Sequence, residues 1–151
     1  MYGANDSLRS IKYNNGYMKF KTLLFSLLAT IVLAACCSDK SAIESLSAEE
    51  FELKLQKASN PQLVDVRTPD EFNESHIAGA LNIDVNGAEF EESIVATIDK
   101  GKPVFVYCKG GNRSMKAAAI LETQGYKPIY NLAGGITEWK EKEKPTKSDI
   151  I

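Results

Sequence analysis

From residue 47 onward, short apolar runs alternate with segments whose apolar residues recur at helical spacing. Gln62-Leu63-Val64-Asp65-Val66-Arg67 and Val104-Phe105-Val106-Tyr107 are rich in β-branched and aromatic residues, the pattern of buried strands. Ala80-Leu81-Asn82-Ile83-Asp84, after Gly79, and Pro128 to Leu132 predict two further short strands. Ser47 followed by Glu50 is a capping-box pattern, and it opens a helix that carries Phe51, Leu53 and Leu55 to near Ala58, where Asn60-Pro61 breaks it. Pro69-Asp70-Glu71-Phe72 predicts a helical turn begun by proline. In Glu89 to Ile98, the residues Phe90, Ile94, Val95 and Ile98 are spaced for one helix face, and Gly101-Lys102-Pro103 ends the segment. A helix from about Arg113 to Thr123 follows the Val104–Tyr107 strand, and Gly134-Gly135 opens a last one carrying Trp139. Strands alternating with helices imply an α/β fold, a parallel sheet with helices on both faces. Ligands of such sheets bind beyond the carboxyl ends of the strands. The chain shows no internal repeat and no Walker-type phosphate loop.

The first 46 residues read differently. Met18-Lys19-Phe20-Lys21 is a basic start, and Thr22 to Ala35 is apolar apart from Thr22, Ser26 and Thr30. With Leu33-Ala34-Ala35-Cys36 closing the run, residues 18–35 have the layout of a secretory signal peptide, too short for a membrane-spanning helix of about 20 apolar residues. The last four of these residues resemble the lipobox of bacterial lipoproteins. That resemblance implies cleavage before Cys36, lipid on Cys36 and a membrane-anchored protein of the bacterial cell envelope, facing outside the cytoplasm. Several acyl chains anchor stably where one is marginal. The alternative is an uncleaved N-terminal anchor, which leaves the domain on the same side. Residues 1–17 are polar and displace the basic start from the chain's beginning, so Met18 is the expected initiator. Residues 36–46 are expected to form a lipidated polar tether, and residues 143–151, charged and containing Pro145, a flexible tail.

Cleavage before Cys36 leaves 116 of the 151 residues, one small domain with a single core. It removes Arg9, Lys12, Lys19 and Lys21 against Asp6 alone. The net charge is then −5, from 14 basic and 19 acidic side chains. A mildly acidic domain argues against nucleic acid as a partner, since phosphate binding needs a basic face. Cys36 and Cys37 are adjacent in the attachment region, so the globular part holds Cys108 alone and no disulfide framework. One cysteine and the sole histidine, His76, cannot supply a four-ligand zinc site, and nothing calls for a metal or organic cofactor.

The candidate chemistry lies in Cys108-Lys109-Gly110-Gly111-Asn112-Arg113-Ser114. Cys108 ends a strand, and a glycine-bearing loop leads from it to a helix N-terminus. Backbone N–H donors and the positive end of a helix dipole converge on such a position. These surroundings lower a thiol pKa and stabilise a sulfur anion. A lone cysteine ending a strand is often only a small buried hydrophobe. A core cysteine, however, needs neither paired glycines nor two cations within five residues, so the loop reads as one that handles anions.

Taken together, these residues resemble the rhodanese family of sulfurtransferases. The resemblance runs through Leu63 to Phe72, through His76-Ile77-Ala78-Gly79-Ala80-Leu81-Asn82-Ile83, through the Cys108 loop, and through Gly134-Gly135 with Trp139. It covers residues 47–142. One departure is Ser75, where the family usually has glycine. The resemblance implies a parallel sheet of about five strands with helices on both faces. It also implies a reaction in which Cys108 takes sulfur from a small anionic donor such as thiosulfate and passes it, from a persulfide, to a thiol or cyanide-like acceptor. Backbone amides from Lys109 through Gly110, Gly111, Asn112 and Arg113 to Ser114 would face the sulfur, and Lys109 and Arg113 would attract the donor. Sulfurtransferases of this fold have four residues between cysteine and arginine, as here, whereas related dual-specificity phosphatases have five. The mercaptopyruvate-specific loop Cys-Gly-Ser/Thr-Gly-Val-Thr is missing.

The remaining marked residues are expected to be structural: Asp65 and Arg67 in a buried or half-buried polar network, His76 in a hydrogen bond rather than as a general base, Gly134-Gly135 as a close approach to the loop, and Trp139 in packing or as a pocket wall. Two other functions stay open beside the transferase: a persulfide carrier or partner-binding module without turnover on small donors, and an envelope thiol reductase. The latter usually needs a resolving cysteine that the domain lacks.

Overall fold

The computed structural model describes residues 41–148. The expected leader at residues 18–35, the expected lipidation at Cys36 and the expected initiator Met18 lie outside the described residues. Five strands, β1 (Ile43–Leu46), β2 (Gln62–Asp65), β3 (Leu81–Asn82), β4 (Val104–Tyr107) and β5 (Ile129–Leu132), form one parallel sheet in the order β1-β5-β4-β2-β3. They alternate with five helices, α1 (Ala48–Lys57), α2 (Pro69–Glu74), α3 (Phe90–Thr97), α4 (Asn112–Thr123) and α5 (Gly135–Glu141).

The strand alternation divides the core in two. Val64, Val66, Val104, Val106 and Cys108 face one way, against Phe90, Ile94 and Ile98 of the α3 region and Ala117, Ala118 and Leu121 of α4. Leu63, Phe105, Tyr107 and Leu132 face the other way, against Phe51 of α1 and Ile136 and Trp139 of α5. β4 is central and buried at every position. Its neighbours in register place Val106 opposite Val64 and Asp65 opposite Tyr107. Full burial of a side chain such as Phe51 or Phe105, both at 0% exposure, contributes about 1.5–3 kcal/mol. The α/β architecture with helices on both faces is therefore the one expected.

The predicted start signals act as written. Ser47 accepts from the Glu50 N–H while the Glu50 carboxylate accepts from the Ser47 N–H. Thr68 and Glu71 form a second reciprocal box over Pro69 at the start of α2. Three expectations need correction. Part of the expected tether is a strand: Ile43–Leu46 pairs with β5 at the sheet edge, where its solvent-facing positions permit Glu44 and Ser45. The start of the expected flexible tail is tied down: Lys147 and His76 exchange two backbone hydrogen bonds of 2.8 Å, the Trp139 indole N–H donates to the Pro145 carbonyl at 3.0 Å, and Lys144 pairs with Glu52. Val95, placed by its spacing on the inner face of α3, is instead 60% exposed. Among the described residues no helix is long and apolar enough to cross a membrane.

Candidate active site

Cys108 directly follows β4, and its side chain is 1% exposed. The loop beyond it is shaped from the far side by the start of α5. The amides of Ile136 and Thr137 donate to the carbonyls of Cys108 and Lys109 at 2.8 and 3.1 Å, and the Thr137 hydroxyl donates to the Lys109 carbonyl at 2.9 Å. In a trans peptide the N–H points opposite the C=O. Drawing these carbonyls toward α5 therefore turns the following N–H groups, those of Lys109 and Gly110, away from α5.

Two glycines make that approach possible. Gly135 has φ +59°, and a Cβ there would collide with the Cys108 and Lys109 carbonyls. Gly111 has φ +93°, and a Cβ there would fall onto the Ala133 carbonyl. Both the left-handed conformation and the contact exclude a side chain at either position. Gly110 differs: a Cβ there would have nothing within 4 Å, so its place in the loop is not sterically enforced.

The sulfur sits inside this turn. The Gly111 N–H donates to Cys108 Sγ at 3.1 Å, and the Ser114 hydroxyl lies 3.5 Å from Sγ and 3.0 Å from the Gly111 carbonyl. The hydroxyl has one proton, so it serves the sulfur or the carbonyl, not both at once. Burial pushes the thiol up. The Ser114 hydroxyl and the N–H groups of Ser114, Gly110 and Gly111 more than offset it, bringing the Cys108 thiol below its ordinary value. This is an environment that stabilises a sulfur anion away from bulk water.

The charged residues are arranged less simply. Lys109 is exposed beside the loop, and Asn112 is the exposed first residue of α4. Arg113 is already engaged: its two terminal nitrogens donate to the two carboxylate oxygens of Glu71 at 2.7 and 2.8 Å. Arg113 beside it, together with the Thr68 hydrogen bonds, holds the Glu71 carboxyl down at about 2 against its desolvation. Glu71, 42 residues away in sequence, carries no local signal of this pairing. Thr137, which fixes the Lys109 carbonyl, likewise has none.

Behind the loop lies the buried polar network. Arg67 donates to Asp65 from its backbone N–H at 3.0 Å, from Nε at 2.9 Å and from a terminal nitrogen at 2.5 Å, and then reaches the Ser75 carbonyl at 2.7 Å. Tyr107 is close by, with its hydroxyl accepting from the Ile77 N–H at 3.0 Å and the Arg67 guanidinium 5.8 Å from its ring centre. Burial, reinforced by Asp65, pushes the Tyr107 phenol far above its ordinary range. The His76 ring stacks on Phe72 at 3.9 Å, and its Nδ1 donates to the Phe72 carbonyl at 3.0 Å. Asp65, Arg67 and His76 thus secure the β2–α2 region that carries Glu71, and Trp139 packs edge-on against Phe51.

Comparison with known proteins agrees with this geometry. The rhodanese-like domain model matches residues 47–142. YqhL, an uncharacterized protein of Bacillus subtilis, is 35% identical over 125 residues, which covers 83% of this chain and 94% of YqhL. The thiosulfate sulfurtransferase GlpE of Coxiella burnetii is 40% identical over 87 residues, 58% of this chain and 78% of GlpE. A solved structure of a rhodanese-related protein from Thermoplasma volcanium matches with a TM-score of 0.60 at 31% identity, covering 69% of this chain and 97% of its own. With the family's motifs in order along one parallel sheet and nearly the whole described domain matched, the chain belongs to the rhodanese-like domain family.

Proposed function

We propose that the protein is a sulfurtransferase that moves sulfane sulfur through a persulfide on Cys108. The observation that carries this is the buried Cys108 sulfur receiving the Gly111 N–H at 3.1 Å, with its thiol drawn below the ordinary value. The Cys108 thiolate attacks the outer sulfur of a donor such as thiosulfate. The donor's S–S bond breaks, sulfite leaves with the bonding pair, and Cys108 keeps the transferred sulfur. An acceptor, cyanide or a thiolate, then attacks that outer sulfur and restores the Cys108 thiolate. Splitting the transfer this way predicts ping-pong kinetics. The loop amides stabilise the anionic sulfur in both half-reactions without rearranging. The likeness to GlpE, named a thiosulfate sulfurtransferase, supports the reading.

A second reading, a carrier that yields its sulfur only to a docked protein, is favoured by one feature: Arg113, the residue suited to a small oxyanion donor, is occupied by Glu71. The basic start and apolar run of residues 18–35 further support a location in the bacterial cell envelope, with lipid on Cys36 as the membrane anchor.

Incubation of the full chain with thiosulfate, intact-mass measurement and then cyanide addition tests these readings against Cys108→Ser as control. A sulfur adduct on the wild type alone, cleared by cyanide with thiocyanate turnover, supports the transferase. An adduct that persists supports the carrier. No adduct refutes thiosulfate as the donor. Expression in a bacterial host with a labelled fatty acid tests the anchor; label retained by Cys36→Ala refutes lipid at Cys36.

A further inference from the structure

Glu71 and Arg113 meet in the geometry by which a guanidinium grips an oxyanion. Two parallel bonds of 2.7 and 2.8 Å join the terminal nitrogens to the carboxylate. This fork is the edge a sulfonate-like group would use to bind in pairs. Glu71 does not reach it by chance orientation. The Thr68 N–H and hydroxyl hold the same carboxylate oxygen at 3.2 Å, so the capping box of α2 aims the acid at Arg113. The pair is only partly covered, with both side chains 28% exposed, and a donor approaching Cys108 can feel it. Asp84 adds a second negative charge that acts on Arg113, as does the Cys108 sulfur itself. Lys109 is left as the loop's only cation without a carboxylate partner among the described contacts.

We propose that Glu71 is a specificity-determining residue that acts through Arg113 to set the charge of the accepted sulfur donor. By filling the Arg113 fork with a carboxylate, it disfavours compact dianions such as thiosulfate. It leaves access open to donors whose sulfane sulfur sits on a thiol of low charge. For such a persulfide, R–S–SH, the Cys108 thiolate attacks the outer sulfur. The donor S–S bond breaks, R–S⁻ departs with the electron pair, and Cys108–S–SH forms. The proposal rests on the sulfur-transfer reading above.

The test compares KM for thiosulfate with KM for the persulfide of 2-mercaptoethanol, in the full chain and in Glu71→Gln. Glutamine preserves the capping box, since its amide oxygen accepts from the Thr68 N–H as glutamate does. Removing one like charge several ångströms from a dianion should lower the thiosulfate KM about tenfold, with kcat and the persulfide KM changed less than about twofold. Ser47→Ala, which weakens the cap of α1 and leaves Glu71 and its own cap intact, should lower Tm and leave the ratio of the two KM values unchanged. Should Glu71→Gln fail to fold, Glu71→Asp, whose carboxylate is one methylene short of the fork, should move the ratio in the same direction. Equal changes for both donors, or none, with Cys108 still loading sulfur, would overturn the role of Glu71 alone. Failure of the wild type to load Cys108 from either donor would overturn the sulfur-transfer reading and this proposal with it.

Discussion

Asp65→Ala should unfold a large part of the protein's stability margin. The Arg67 side chain is 5% exposed and the Asp65 side chain 0% exposed, so the pair is held away from water. Truncation to alanine removes every Arg67 bond to Asp65 and leaves the guanidinium with the Ser75 carbonyl at 2.7 Å. Breaking a buried pair from one side costs about 3–5 kcal/mol, because the remaining charge has lost both water and partner. Domains of this kind hold about 5–15 kcal/mol in all. Urea unfolding should therefore show a midpoint lower by at least about 1 M at an unchanged slope. Asp65→Ala/Arg67→Met, which removes both charges, should be more stable than Asp65→Ala alone, although it carries one more substitution. The same loss should reach the site, because Arg67 fixes the Ser75 carbonyl at the end of the helix that presents Glu71. A loss below about 1 kcal/mol, or a double variant weaker than the single one, would refute the view that charge burial dominates here.

Cys108 should react with iodoacetamide in a pH profile whose midpoint lies below that of an ordinary thiol. Because its folded pKa is depressed, the thiolate persists to lower pH and is lost only as pH falls through the folded value; Ser114→Ala should move the midpoint upward. Glu71 gives a stability contribution that is complete above its unfolded pKa near 4.5 and is lost as pH falls toward about 2, so Glu71→Gln should flatten acid unfolding in that window. Gly111→Ala should lower sulfur loading on Cys108 more than about tenfold, since the loop must move to relieve both the positive φ and the Ala133 carbonyl; intact-mass loading rates measure it. Removal of residues 144–151 should lower Tm by several degrees, as the Lys144–Glu52, Trp139–Pro145 and His76–Lys147 contacts are lost together.

Local patterns carried most of the fold and the heart of the site. The Val104–Tyr107 run, the glycines at 110 and 111 beyond Cys108 and the helix that follows are contiguous, so a buried sulfur at a strand's end is readable from one stretch of chain. The capping box at Ser47 is equally local, and so is the one at Thr68, which reading Pro69-Asp70-Glu71-Phe72 as a proline-led turn passes over. What escaped was what depends on distant partners. Arg113 looks like a free cation until the fold brings Glu71 to it across 42 residues. β1 has no alternating apolar signature because an edge strand needs only part of its length covered, here mainly Leu46. The segment after α5 is held largely by backbone groups, of Lys147 and Pro145, and backbone bonding leaves no mark on residue type. Val95 follows the period of α3, but spacing alone does not say how far around the helix the core extends.

The amides of Ile136 and Thr137 that take the Cys108 and Lys109 carbonyls come from the final helix, made after everything else in the sheet. Domains complete themselves as the chain emerges from the N-terminus onward. Until α5 exists, no amide takes the Cys108 and Lys109 carbonyls, and the Gly110 N–H, one of the groups that draw the Cys108 thiol down, is not yet turned away from that side. The Ser114 and Gly111 contributions to the lowered thiol are in place once α4 has formed, and the Gly110 contribution arrives with the last element of the fold. A chain that ends before α5 should therefore carry a Cys108 thiol less acidic than that of the whole domain, so that the last step in its activation coincides with completion of the sheet's final helix.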